Sequence, residues 1–248
     1  MTDVIALEPL AGVALVTGSS SGIGEGIARR LAAEGMTVVV NSHASGERGA
    51  TVAREIGGDY LPADLADCDQ TRALIAEVIA RHGGLDLLVN NAGTTRVIPH
   101  DDLEAADREA WREIFETNVF GTWDLCIAAM PHLRVAPAGH IIMITSLGGQ
   151  RPLGSSIPYA ISKAALDHMT RLLASTVGPE VRVNAVAPGF VDTPWTSGWH
   201  GMRSEVSAEV PLGRVASPDD MAVAVAGLHR MLYATGQVLA VDGGRHLR

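Results

Sequence analysis

The sequence predicts a doubly wound α/β fold, a parallel sheet with helices on both faces, and three observations predict it. Short runs of Val, Ile, Leu and Ala alternate along the chain with longer amphipathic stretches. Those runs are apolar at consecutive positions, the pattern of strands buried on both faces. A glycine-rich turn follows the first run, where such sheets take a nucleotide.

The elements follow in order. VALVTG (residues 13–18) is a short buried strand running into the glycine turn, and IARRLAAEG (27–35) a helix closed by its C-terminal glycine. TVVVN (37–41) is the second strand, RALIAEVIARHG (72–83) a helix, and LDLLVNNAG (85–93) a strand. One long helix is expected over 110–130, then the strand HIIMITS (140–146). A helix over about 158–177 stops at Gly178-Pro179, because proline cannot continue it. VRVNAVAPG (181–189) and GQVLAVDGG (236–244) are the last strands. No linker, repeat or low-complexity segment interrupts the series, so residues 1–248 read as one Rossmann-type domain.

Composition narrows the function. Of 248 residues 47% are hydrophobic and 19% charged, which suits a buried core and argues against disorder. A net charge of −9 with no cluster of arginines excludes a nucleic-acid footprint. MTDVIALEPL (1–10) has neither a basic segment nor a long apolar run, and no apolar run nears the ~20 residues of a membrane span. A cytoplasmic, soluble protein without a membrane partner is expected. Cys68 and Cys126 make no disulfide framework and read as small buried hydrophobes in a reducing compartment.

TGSSSGIG (17–24) carries Gly18, Gly22 and Gly24 where strand becomes helix. A tight turn there needs positive φ, and a pyrophosphate needs backbone without Cβ. The helix start adds free N–H groups and a positive dipole end. Asp64 and Asn91 follow later strands and are expected at the same edge.

Lys163 is the one lysine among 19 basic residues, four places after Tyr159. Pro158 suits a first helical turn, Ser155 or Ser156 can cap it, and Tyr159 and Lys163 then share one face. A cation ~6 Å from a phenol at an effective dielectric of ~20 is worth ~3 kcal/mol, enough to bring a pKa of ~10 down by ~2 units. The phenol then works as an acid or base near neutrality. A lysine does this as a compact point charge where arginine presents a broad fork. Ser146, ending a strand, can hydrogen-bond a substrate oxygen, and Asn118 inside a helix is a poor helix former that needs a reason.

TGSSSGIG, NNAG (90–93), Asn118, Ser146, Tyr159-x-x-x-Lys163 and the Pro188-Gly189 turn occur in the order of the short-chain dehydrogenase/reductase family, which the chain resembles over nearly its whole length. Within that family it is most similar to the 3-oxoacyl-carrier-protein reductases. The resemblance implies an NAD(P)-dependent oxidoreductase acting on a secondary alcohol or ketone, a homotetramer, and no metal. It implies Tyr159 as general acid/base, Lys163 lowering its pKa and holding the nicotinamide ribose, Ser146 polarising the carbonyl, and Asn118 holding a relay water. The cofactor surface it implies is Gly18, Ser20, Ser21, Gly22, Ile23 and Gly24, then Asn41, Ser42 and His43, Asp64 and Leu65, Asn91, Ala92 and Gly93. Tyr159 and Lys163 belong to it too, as do Pro188, Gly189, Val191 and Thr193.

The second strand ends in Asn41, Ser42 and His43, with no acid to repel a 2′-phosphate before Glu47. Asn41 and Ser42 as donors, and His43 or Arg48 as charge, predict NADP(H) over NAD(H), with NAD(H) possible. Trp195, Trp199 and Met202 in the segment 192–214 suggest a lid over an apolar or ring-bearing small molecule, and Gln150, Arg151 and Leu153 are expected along the pocket. Two other readings stand beside this one. A dinucleotide sensor without chemistry would not need Tyr159. A Schiff-base lyase would need Lys163 desolvated or beside a second cation.

Overall fold

The computed structural model describes residues 8–199 and 201–248; His200 and most of the N-terminal stretch read as leader-free lie outside them. The strands are β1 (Val13–Val16), β2 (Thr37–Ser42), β3 (Asp59–Pro62), β4 (Leu87–Asn90), β5 (His140–Ile144), β6 (Arg182–Pro188) and β7 (Val238–Val241). They form one sheet in the order β3-β2-β1-β4-β5-β6-β7, every pairing parallel. The helices are α1 (Gly22–Ala33), α2 (Gly46–Glu55), α3 (Cys68–His82), α4 (Arg108–Phe115), α5 (Thr122–Leu133), α6 (Ile157–Val177), α7 (Met202–Glu209) and α8 (Pro218–Arg230).

The continuous apolarity of the strands follows from two cores. Leu15, Ile141 and Met143 point to one face, against residues of α3, α5 and α6. Their neighbours Ala14, Val16, Ile142 and Ile144 point to the other, against α1, α2 and α8. Each Leu or Ile withdrawn from water this way stabilises the fold by about 1.5–3 kcal/mol. On the second face α1 and α8 meet closely at Gly26, where a Cβ would stand 2.9 Å from Pro218 Cβ. Glu34 locks the same pair, accepting from Arg30 within α1 and from Arg230 of α8 at 2.6 Å.

Three expectations change. The helix expected over 110–130 is α4, a π-helical turn (Glu116–Gly121) and α5. The widened turn places Asn118 fully inside the protein. Gly121 ends it against β3's exit, where a Cβ would lie 2.1 Å from the Leu65 carbonyl oxygen. Cys68 is exposed at the start of α3 rather than buried. Cys126 is buried as expected, and desolvation pushes its thiol up to about 12. The edge strand β3 and the helices α2, α7 and α8 are additional to the sequence-based series.

At the amino edge of the sheet the hydrogen bonds fix a proton arrangement. Asn184 Oδ1 accepts from the Gln237 N–H and its Nδ2 donates to Ala234 O, so its amide orientation is set. Nδ2 therefore also donates to His140 Nε2 (2.9 Å), and His140 must carry its proton on Nδ1. That proton goes to His229 Nδ1 at 3.2 Å, leaving both rings neutral. Burial holds His140 well below the ordinary histidine value and brings His229 to about 4, with the Arg182 charge acting in the same direction. Asp86 opposes this at His229, and Arg230 reinforces it.

Such depressed groups contribute stability that is complete above the unfolded value of ~6.5 and is lost as pH falls towards the folded one. Urea unfolding should therefore give a lower free energy at pH 5.0 than at pH 7.5. His229→Gln keeps an acceptor for His140 and should remove the His229 share of that difference while the His140 share stays, at a cost of about 1 kcal/mol at pH 7.5. Equal pH dependence in both proteins would place the loss elsewhere.

Candidate active site at the carboxyl edge of the sheet

A cleft of about 1250 Å³ opens at the carboxyl ends of the strands, and residues following β1 to β6 all reach it. Its floor is the glycine turn. Gly18 and Gly22 have φ of +61° and +58°, conformations that side chains rarely adopt. Thr17 Oγ1 accepts from the N–H groups of Asn91 and Ala92, both at 3.0 Å. Asn91 returns the contact, donating from Nδ2 to Thr17 O (2.8 Å) and Gly18 O (3.1 Å). A Cβ on Gly24 would fall 2.4 Å from Asn91 Nδ2 and 2.5 Å from Gly18 O. The N-cap of α1, Ser21, makes no side-chain hydrogen bond to the helix, so its side chain leaves the first N–H groups uncapped. A bare backbone cradle at the positive end of a twelve-residue helix suits a pyrophosphate, so the turn fits a dinucleotide.

Every residue of the cofactor surface that the resemblance implied lines this cleft, whereas Arg48, the other charge expected for a 2′-phosphate, does not. Three line it with their polar groups already committed. Asn91 is the clamp on the glycine turn. Asn41 is 1% exposed and its amide donates to Leu61 O (3.1 Å) and Ala63 O (3.5 Å), so it is not the free phosphate donor expected of it. Ser42 pairs with the Tyr60 hydroxyl at 3.1 Å. A carboxylate does stand near the end of β2, contrary to the sequence reading. Asp64 Oδ2 is 3.7 Å from His43 Nδ1, and Arg48 meets Glu25 at 3.4 Å.

On the opposite wall, Ser156 caps α6 by accepting from the Tyr159 N–H, with Pro158 in the first turn. Lys163 is 4% exposed, its Nζ 5.7 Å from the Tyr159 ring centre and donating to Ile144 O at 2.9 Å. Burial brings its ammonium down to about 8, against the opposing pull of Asp167. The Tyr159 hydroxyl does not show the lowering expected from Lys163. Burial raises it, and the nearby Ser146 hydroxyl pulls it down only in part. The ammonium is engaged with a backbone carbonyl, and desolvation of the phenol is the larger effect.

Ser146 caps the short turn Leu147–Gly149 through the Gly148 N–H and faces the cleft. Asn118 lies behind the wall rather than on it. Its Oδ1 accepts from the Thr94 N–H (2.7 Å), and its Nδ2 donates to Thr94 O and Ser162 Oγ, both at 3.0 Å. Ser162 in turn donates to Tyr159 O at 2.7 Å. Asn118 thus joins the strand-exit segment after β4 to the helix bearing Tyr159 and Lys163. Thr17, Thr94 and Ser162 were not singled out from sequence. Their work is done by single hydroxyls and a backbone amide, which leave no local pattern.

Trp195, Trp199, Met202 and Leu153 line the outer part of the cleft, and Trp199 packs against Phe190 with ring centres 6.1 Å apart. Gln150 and Arg151 do not line it. Gln150 turns to Asp167 (3.2 Å), and Arg151 donates to the backbone carbonyls of His246 and Arg248. Among the described residues no cluster of His, Cys, Asp or Glu could hold a metal, and no helix is long and apolar enough to cross a membrane.

Known proteins are similar to this chain in sequence and in fold. The family model described as Enoyl-(Acyl carrier protein) reductase matches residues 18–246. A protein assigned as ketoacyl reductase 2 of the granaticin polyketide synthase of Streptomyces violaceoruber is 53% identical, over 96% of this chain and 98% of its own length. A 3-oxoacyl-[acyl-carrier-protein] reductase of Chlamydia muridarum is 35% identical, over 93% and 96%. The crystal structure of a gluconate 5-dehydrogenase from Burkholderia cenocepacia, in complex with NADP and tartrate, superimposes with a TM-score of 0.89 at 30% identity, covering 97% of each chain. With its seven-stranded parallel sheet and the match over nearly its whole length, the chain belongs to the short-chain dehydrogenase/reductase family, as an NAD(P)-dependent oxidoreductase similar to the 3-oxoacyl-carrier-protein reductases.

Proposed function

We propose that this chain interconverts a ketone and a secondary alcohol, using NADP(H) in preference to NAD(H), with Tyr159 as general acid/base. The observation that carries the reading is convergence. Ser146, Tyr159 and Lys163 face the same cleft as the glycine turn, on its opposite wall. The nicotinamide cofactor, when bound, supplies or accepts the hydride. The chain's own groups manage the proton and the geometry. In the reducing direction the Tyr159 hydroxyl donates its proton to the carbonyl oxygen, and Ser146 holds that oxygen by a hydrogen bond. The Lys163 charge favours the tyrosinate left behind. Asn118 keeps the helix in register with the segment bearing Asn91, Ala92 and Gly93. Trp195, Trp199 and Met202 line the cleft and favour an apolar or ring-bearing substrate. Exposed Phe120, Trp123 and Ile127 along the α5 region support the homotetramer that the resemblance implies, in a cytoplasmic setting.

A Schiff-base lyase gains one observation, the Lys163 ammonium near 8. That amine, however, already donates to Ile144 O, and the charged side chain nearest to it along α6 is an anion, Asp167. Borohydride trapping in the presence of a ketone should leave Lys163 unmodified.

Tyr159→Phe should retain the fold and cofactor binding while turnover of a ketone panel, followed at 340 nm, falls by about three orders of magnitude. Near-normal turnover would remove Tyr159 from the chemistry and favour a dinucleotide sensor.

The cofactor preference should be modest, because Asp64 offsets charge on His43 and Glu25 engages Arg48. If His43 meets the 2′-phosphate, His43→Ala should lower the ratio of kcat/KM for NADPH over NADH. An unchanged ratio moves that role to Arg48, and an NADH preference in the unaltered protein refutes the choice of cofactor.

A further inference from the structure

Asp167 has no place in the reaction as set out above, and its surroundings are unusual for a carboxylate. It is 4% exposed, and its Oδ1 has no hydrogen-bond partner. Its Oδ2 accepts from Gln150 Nε2 at 3.2 Å. Burial raises its pKa, while Thr145, Gln150, Arg171 and Lys163 each favour the ionised form. A carboxyl group with one oxygen unpaired in the interior is costly, and these four neighbours are what offset its burial.

Its position on α6 shows its role. Tyr159, Lys163, Asp167 and Arg171 are spaced four apart, one helical turn each, as phenol, cation, anion and cation. Lys163 is the buried member of this column that must remain charged. Tyr159 and Asp167 flank it on its own helix, the Ile144 carbonyl at the exit of β5 accepts from it, and a Cβ on Gly93 would lie 3.5 Å from its Nζ and 3.2 Å from Asn118 Oδ1 of the π turn. Asp167 is the one anion in that set. The same carboxylate also reaches across to the β5 exit. Gln150 follows the turn capped by Ser146, so Asp167 fastens that turn to α6 in addition to the Lys163–Ile144 bond.

We propose that Asp167 is a positioning residue, which keeps Lys163 in its charged form and ties the Ser146 turn to the Tyr159–Lys163 helix. The proposal rests on Lys163 being the cation that serves Tyr159, but its first test does not depend on turnover. Lys163 is the sequence's single lysine. Labelling with lysine enriched in ¹⁵N at Nζ therefore gives one side-chain amine signal, and its midpoint can be read by NMR titration of the full chain.

The unaltered protein should titrate near 8. In Asp167→Asn the midpoint should fall by about one pH unit, because an opposite charge has been removed from a buried cation. Gln150→Leu leaves the charge but loses a hydrogen bond that favours it, and should move the midpoint the same way by less. That second variant decides the matter if Asp167→Asn does not fold. With NADPH and cyclohexanone as probes, the alkaline limb of kcat/KM should move down with the midpoint. An unmoved or raised midpoint in a folded variant overturns the proposal, whatever the activity. A lowered midpoint with no detectable turnover in the unaltered protein would instead leave the electrostatic role intact and refute the assigned chemistry.

Discussion

The carboxyl edge depends on one close approach of backbone, between the exits of β1 and β4 where the direction of winding reverses. A Cβ on Gly18 would stand 2.8 Å from Ala92 Cα, and one on Gly24 would strike both Asn91 and the Gly18 carbonyl. The two exits are then stitched by Thr17 and Asn91, through four hydrogen bonds of 2.8–3.1 Å. With that seam closed, the segment beyond Asn91 lies where Asn118 can reach it. Asn118 in turn holds α6, the helix that carries Tyr159 and Lys163. The phosphate cradle and the opposite wall are thus parts of one hydrogen-bonded chain, and neither can be loosened without moving the other.

The five interior strands were legible because consecutive apolar residues leave few alternatives when both faces are covered, and the edge strand β7 was read from a run of the same kind although it is only half-buried. β3 was not. DYLP is an edge strand, mostly half-buried or exposed, and ends in proline, so it carries little of that pattern. α2 opens on Gly46 and is rich in charge, which read as loop. α8 did leave a signal. Ser217 and Asp220 form a capping box around Pro218, a motif visible three residues apart in the sequence. The π turn around Asn118 left none, since a widened turn is set by what Gly121 and Asn118 meet across space.

The site divides along the same line. Residues whose role lies in their type and spacing, Tyr159 with Lys163 and the three glycines, could be found in the linear text. Residues whose role depends on a partner far away in sequence could not. Asn41 looked like a free donor, but its amide is spent between β2 and the exit of β3. Asp64 was expected at the carboxyl edge but not as the acid beside His43, and the parallel neighbours β2 and β3 bring the two together. Gln150 looked like a pocket residue, and its side chain turns to a buried carboxylate instead.

The choice of arginine everywhere but Lys163 also shapes how this protein meets reagents. An acylating agent, an aldehyde fixative or a coupling resin that seeks side-chain amines finds one in the whole sequence, and it is 4% exposed on the wall of the cleft. Access to it runs through the space that the ligands fill. Acylation at this nitrogen therefore measures cleft occupancy, and any ligand that covers it acts as a protecting group. A lysine-specific protease meets the same barrier, because its single recognition point lies inside a 21-residue helix packed against the sheet.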